Sequence, residues 1–291
     1  LLTLHLIRTV VYLIPLIAVY TIVLGTCSLA SSLFGGSGRF AHGCARLWSW
    51  LILATTGVDV ELRGLDRVAR NRSYLFISNH QSIYDIPVLF WHLPFQLRIL
   101  AKESLGQFPF LGWHLARTGH VLVQRQNPGA TVFKKVSALM HAGHSLIVFP
   151  EGTRSADGRL AKFKGGIFLL AIEAGLPIVP VAIDRTRFVM RKGRLTTCPG
   201  FVTLQVMDPI ETAGLTKEDA RVLAQQVRDR IAAALPAMAG PPAGQAPAEP
   251  APVELPPVEQ PPVETPLSEQ APAQPAAAAR RSSEQTSGGA G

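Results

Sequence analysis

The chain has 291 residues, 47% of them hydrophobic and 16% charged, with 28 Lys and Arg against 20 Asp and Glu for a net charge of +8. That length and apolar content support one large or two small domains with a buried core, which excludes a wholly disordered chain. Cys27, Cys44 and Cys198 are too few and too widely spaced for a disulfide framework or a cysteine-based zinc site, and they suit a reducing compartment.

In chain order, the first feature is apolar. No charged residue lies between Arg8 and Arg39, and residues 10–33 are mostly Val, Leu, Ile, Ala and Tyr. This is long enough for the ~20 residues that cross a ~30 Å hydrocarbon layer. A retained membrane segment is expected; Ala30-Ser31-Ser32 is a weak exit site for the competing reading, a cleaved signal. The chain starts at Leu1 rather than Met, which reads as a trimmed start. A second apolar stretch, residues 47–54 with Trp48 and Trp50, is too short to span and suits an interfacial helix, with a core helix as the alternative. Residues 1–57 are therefore assigned as a membrane anchor. Arg8 precedes the first segment while Arg39 and Arg46 follow it, so the positive-inside rule puts the main domain in the cytoplasm.

From 58 to 236, short β-like runs alternate with helical ones, which predicts an α/β domain built on a mixed, largely parallel sheet flanked by helices. Strands are predicted at 58–62, 74–78, 98–101, 120–123, 145–149, 178–183 and 202–206. Helices are predicted at 86–93, 110–118, 131–142, 166–174 and 217–235. In the last, Leu223, Val227, Ile231 and Leu235 form an i, i+4 stripe that reads as core packing.

Composition changes sharply after that helix. From Pro236 onward lie 13 of the 23 prolines, mixed with Ala, Glu and Gln, too little apolar surface to offset chain entropy, so 237–291 is expected to be a disordered tail. Glu249, Glu254, Glu259, Glu264 and Glu269 recur every fifth residue within it, as expected of an extended polyproline-like segment. Excluding this tail leaves 26 basic and 14 acidic residues, a charge of +12. Anionic headgroups, a phosphate-bearing substrate or an acidic carrier protein would each meet that excess, and nucleic acid is disfavoured in a chain that begins in a membrane.

The chemistry centres on Ser78 to Asp85, Ser-Asn-His-Gln-Ser-Ile-Tyr-Asp, between the predicted strand 74–78 and a helix with Pro87 in its first turn. In a regular helix, positions five apart sit ~140° apart, so His80 and Asp85 can meet only across a turn. A base with an orienting carboxylate is the functional reading. The alternative is a capping box from Ser82 to Asp85, with His80 an ordinary loop residue. Further blocks fall at strand ends, where α/β folds place their chemistry. Gly119 to Arg125 ends in a cation; Phe149-Pro150-Glu151-Gly152-Thr153-Arg154 offers a carboxylate and a guanidinium around Gly152. Phe163-Lys164-Gly165-Gly166 places a cation at a predicted helix start, a location suited to anions. Ile178 to Val181, interrupted by Pro180, reads as a wall of the site. Singly, each charged position could be a solvated side chain, and the Glu151–Arg154 pair a surface turn.

Jointly, and in this order, these blocks resemble the glycerolipid acyltransferase superfamily, most closely the bacterial 1-acyl-sn-glycerol-3-phosphate acyltransferases. The resemblance spans about 58–210 and includes Ala101-Lys102-Glu103-Ser104-Leu105. Gln124 stands where many members have Asp, and Ser104 where many have Glu. It implies transfer of an acyl group from acyl-CoA or acyl carrier protein to the 2-hydroxyl of lysophosphatidic acid, without metal or other cofactor. His80 would be the general base and Asp85 its orienting partner. Arg125 and Arg154 would bind the phosphate, Glu151, Gly152 and Thr153 would shape the acceptor pocket, and Lys102 and Lys164 would assist. It further implies the bacterial inner membrane as the location and membrane lipids as partners. Another lyso-lipid acceptor, or a non-catalytic lipid-binding scaffold, is the competing reading; a lipase-like hydrolase is disfavoured because no Gly-x-Ser-x-Gly elbow is present.

Overall fold

The computed structural model describes residues 2–31, 38–107, 111–123 and 130–238. The predicted disordered tail falls outside these residues except for its first two, Ala237 and Met238, which complete a helix.

Helices α1 (Leu2–Ile7) and α2 (Ile14–Ser31) join through a π-helical stretch, Arg8–Leu13, into one 30-residue helix. It is long and apolar enough to cross a membrane, with a mean hydropathy of 2.2 over its best window. Polar ties nevertheless hold it alongside α3 (Arg39–Thr56). Arg8 donates to the Thr55 and Thr56 carbonyls at 3.0 and 2.7 Å, neutralising the negative end of α3, and Trp48 Nε1 donates to Thr21 Oγ1 at 2.8 Å. These contacts pair the start of the first helix with the end of the second, so the two form an antiparallel hairpin.

Helix α3 departs from the short interfacial segment expected at 47–54. It covers 18 residues because left-handed Gly38 and Gly57 bracket it, and because polar His42, Cys44 and Ser49 lie on its buried face. The apolar run marked only its second half. Ile52 and Leu53 join the core of the sheet, while Phe40, Leu47 and Trp50 remain exposed. The interfacial and core readings of this stretch thus describe its two faces.

Seven strands form one sheet: β1 (Val58–Arg63), β2 (Leu75–Ser78), β3 (Leu97–Lys102), β4 (Val121–Val123), β5 (Ser145–Val148), β6 (Ile178–Asp184) and β7 (Gly200–Val206), in the order β1-β7-β6-β2-β5-β3-β4. All pairs are parallel except β6 with β7. Strand β6 continues through Pro180 rather than breaking there. Its ladder with β7 runs from Val181, so the missing N–H falls just past the end of that ladder, where the Pro180 carbonyl still accepts from Met207 N at 3.1 Å.

Alternation along the central strand divides the core in two. Leu75 and Ile77 face α6 (Ala130–His141), α7 (Gly166–Glu173) and α9 (Ala220–Met238), whereas Tyr74 and Phe76 face α3 and α4 (Asp85–His92). The predicted stripe of the last helix packs as expected: Leu223, Val227 and Ile231 are buried. That helix begins at Ala220 and continues past Pro236 to Met238, which is itself buried. The remaining helices, α5 (Leu111–Arg117) and α8 (Thr186–Val189), are short.

One part of the core is polar. Arg98 on β3 is 3% exposed and donates to its neighbour's carbonyl at Leu97. It lies so close to Gly38 that a β-carbon there would sit 2.6 Å from its Nη2. His42 is buried nearby, and burial, reinforced by Arg98 and Arg46, lowers its pKa to about 4. His120, held neutral as acceptor for Ile99 N at 3.0 Å, is lowered to about 3 by burial and then by Arg98. The unfolded chain takes up these protons near pH 6.5, whereas the folded chain resists until the folded values are reached. Stability is therefore fully present above about pH 6.5 and falls as the solution is acidified, by on the order of 2 kcal/mol at pH 5 from His42 alone. Thermal unfolding followed from about pH 7 to pH 5 is expected to show this loss, and His42→Leu is expected to remove the His42 share of it while that of His120 remains.

Candidate active site

Strands β2, β5 and β6 are adjacent and mutually parallel, so their carboxyl ends open on one edge of the sheet, the usual place for a site in this architecture. Three segments leave that edge side by side: 79–84, 149–155 and 185–190. Asn79 locks the first to β6, its side-chain amide giving and taking hydrogen bonds with the Ile183 backbone at 2.8 Å.

His80 Nδ1 lies 2.7 Å from Asp85 Oδ2. A carboxylate only accepts, so this contact assigns the proton to Nδ1 and leaves Nε2 as the basic nitrogen. Asp85 is fully buried at the first position of α4, and the same Oδ2 also accepts from Gln81 N and Ser82 N at 2.7 and 2.9 Å. Its other oxygen accepts from Thr186 Oγ1 at 2.5 Å. The bond from Ser82 N is one half of the anticipated capping box, so capping and orientation of His80 coexist on one carboxylate. Ser82 Oγ itself turns away to donate to the Met190 carbonyl at 2.8 Å.

The Phe149–Arg154 block grips His80 from the other side. The Phe149 ring stacks on the imidazole, centroids 4.1 Å apart and planes 19° from parallel. Glu151 Oε1 accepts from the backbone N–H of His80 at 2.8 Å, and Ser155 N donates to the His80 carbonyl at 2.7 Å. Glu151 Oε2 accepts from Ala161 N at 3.0 Å. Burial raises the Glu151 carboxyl above its ordinary value, while these two amides pull it back. Glu151 therefore acts on the pocket through the backbone, fixing His80 and the loop to Ala161. Gly152 closes the turn with φ of 78°, a conformation glycine adopts without strain.

His80, Asp85 and Glu151 thus form one hydrogen-bonded unit. Gly152 and Lys164 lie beside it, lining a solvent-open cleft whose other walls, including Leu100, Val123, Val148 and Leu170, are apolar. Phe149 belongs to both places, stacking on His80 and lining the cleft. Arg154 is half-buried at the same turn. Lys102 ends β3, and Arg125 lies outside the described residues.

Two residues missed in the sequence complete the site. Thr186 secures the far oxygen of Asp85, and it directly follows Arg185, which at φ 73° is the one non-glycine residue with positive φ among those described. Lys192 Nζ donates to Thr153 Oγ1 at 3.1 Å and to the Arg154 carbonyl at 2.9 Å, adding a cation to this turn. Thr186 is 101 positions from Asp85 and has no local signal; Lys192 was visible only as part of a basic run.

Comparison with known proteins agrees with this layout. The Acyltransferase family model matches residues 59–184. A 1-acyl-sn-glycerol-3-phosphate acyltransferase of Limnanthes alba is 32% identical over 69% of this chain and 71% of its own length. The enzyme of the same name from Saccharomyces cerevisiae is 34% identical, over 64% of this chain and 63% of its own length. The crystal structure of a 1-acyl-sn-glycerophosphate acyltransferase from Thermotoga maritima superposes with a TM-score of 0.69 at 24% identity, covering 82% of this chain and 99% of that one, a likeness of fold.

Proposed function

The chain belongs to the glycerolipid acyltransferase family, and on that premise we propose that it acylates the 2-hydroxyl of 1-acyl-sn-glycerol 3-phosphate to give phosphatidic acid, with His80 as general base. The observation that carries the base assignment is the 2.7 Å contact between His80 Nδ1 and the buried carboxylate of Asp85. A lipid alcohol is far too weak an acid to attack unaided. Nε2 takes its proton as the oxygen adds to the thioester carbonyl, and Asp85 stabilises the imidazolium so formed. The tetrahedral adduct then expels the thiolate of acyl-CoA or acyl carrier protein, which recovers the proton from His80. The acyl group moves directly between the two substrates.

Binding follows from charge and polarity. Arg154, Lys164 and Lys192 surround the turn beside His80, where a phosphate monoester needs cations, and Arg154 offers the planar fork that suits its oxygens. Arg125 is assigned the same role, and Lys102 an auxiliary one. The apolar lining of the cleft beside Phe149 suits the acyl chain next to the reacting carbonyl. The helical hairpin keeps Leu4, Val11, Val19, Ile22, Phe40 and Trp50 exposed, a surface that enters a bilayer from one side and delivers lipid substrates to the site. We place the protein on the cytoplasmic face of a bacterial inner membrane, the location that the family resemblance implies.

Mass spectrometry of products from purified protein, labelled acyl donors and a panel of lyso-lipids tests this reading. The expected result is phosphatidic acid from lysophosphatidic acid, with acceptors whose phosphate carries a larger headgroup at least tenfold slower, since the cationic turn is built for a dianion. Preferential acylation of a zwitterionic lyso-lipid would overturn the acceptor assignment.

A further inference from the structure

We propose that the segment between β6 and β7, from Arg185 to Leu195, is a second bilayer contact, which takes the phosphates of anionic headgroups on Arg191 and Arg194 and seats Phe188 and Leu195 among them. Arg185, Arg187, Arg191, Lys192 and Arg194 fall within eleven positions that hold no acidic residue. Phe188 and Leu195 are nevertheless 43% and 53% exposed in this basic run. Single exposed apolar side chains are ordinary; a pair of them interleaved with cations matches the composition of a headgroup boundary, where each cation near an anionic surface adds affinity.

Position decides for a lipid surface over an acidic protein. Just past Leu195, Thr197 N donates to Thr9 Oγ1 at 3.0 Å, which ties the segment to the start of the apolar helix. A bilayer receiving the exposed apolar face of that helix must bring its headgroups against the residues flanking Thr197. On the opposite side the segment meets the site: Thr186 bonds Asp85, the Met190 carbonyl accepts from Ser82, and Lys192 holds the turn at Thr153 and Arg154. A surface stretched between membrane helix and catalytic turn would align the pocket with the plane in which a lysolipid lies. The proposal rests on the reading above that the substrate arrives from the bilayer.

Sedimentation of the full chain with vesicles tests it, using phosphatidylcholine alone and phosphatidylcholine mixed with phosphatidylglycerol. The unaltered protein should prefer the mixed vesicles, and added salt should weaken that preference. The double variant Arg191→Gln, Arg194→Gln should lose roughly tenfold or more of its affinity for mixed vesicles while binding neutral ones unchanged. It should also keep its turnover on detergent-dispersed lysophosphatidic acid. An unchanged preference for mixed vesicles, or equal losses on both kinds, would overturn the proposal. So would normal vesicle binding combined with a raised KM for acyl carrier protein alone, which would assign the surface to a protein partner. Absence of acyl transfer by the unaltered protein in detergent would instead sink the proposed activity, a result that vesicle binding does not affect.

Discussion

Replacement of His80 by alanine is expected to lower kcat by on the order of 10³–10⁴, the range associated with removing a positioned general base. Folding should be unaffected, because the bonds that secure this position run to the His80 backbone: its N–H to Glu151 and its carbonyl to Ser155. The side chain contributes a stacking contact with Phe149 and a bond to a carboxylate that keeps three other donors. Turnover should thus collapse while the unfolding midpoint and membrane association stay near those of the unaltered protein. Steady-state kinetics beside thermal melting reads both quantities, and near-normal turnover would remove His80 from the mechanism.

Asp85→Asn should cost as much in rate and considerably more in stability. An asparagine has one accepting oxygen, whereas Asp85 takes bonds from His80, Gln81 and Ser82 on one oxygen and from Thr186 on the other. Turned toward His80, its NH2 meets the Gln81 and Ser82 amides and the protonated Nδ1; turned away, it meets Thr186 Oγ1, a hydroxyl that can accept in place of donating. If the NH2 faces His80, it favours the tautomer whose proton is on Nε2, which cannot accept one from the substrate, and a rate loss on the order of 10⁴ follows. A fully buried site with mismatched donors also costs about 1–3 kcal/mol of stability. The two variants therefore separate: His80→Ala loses rate alone, and Asp85→Asn loses rate together with a lowered urea midpoint. An Asp85→Asn protein with normal stability would mean that the amide turns its NH2 to the Thr186 hydroxyl and keeps its oxygen on Gln81 and Ser82.

Most of the site's local geometry was legible in the sequence because it is local. His80 and Asp85 stand on one turn, and contact between residues at that spacing required the bend that the structure contains. The strands β2, β5 and β6 were visible as short apolar runs because both their faces are buried. What joins them was not visible. Nothing near Glu151 announces that its carboxylate grips the backbone of His80, 71 positions away, and nothing near Thr186 announces Asp85. The entry of β7 between β1 and β6, antiparallel to β6, is a matter of packing rather than pattern. Helix α3 was read at half its length because its buried face carries His42 and Ser49, and a hydrophobicity criterion takes those residues for surface. The first helix was expected as a membrane segment by itself. Its alignment along α3 depends on Arg8, Tyr20 and Thr21, whose partners lie in the second helix.

The most direct test of the central claim is positional analysis of the transferred acyl group. Purified protein and the His80→Ala variant are supplied with 1-acyl-sn-glycerol 3-phosphate and a radiolabelled acyl thioester, and the lipid product is digested with phospholipase A2. Direct attack by the 2-hydroxyl, activated by His80, predicts that the unaltered protein's label is released wholly as free fatty acid and that the variant yields almost none. Label retained at position 1 or trapped on the protein, or equal labelling by the variant, would contradict it.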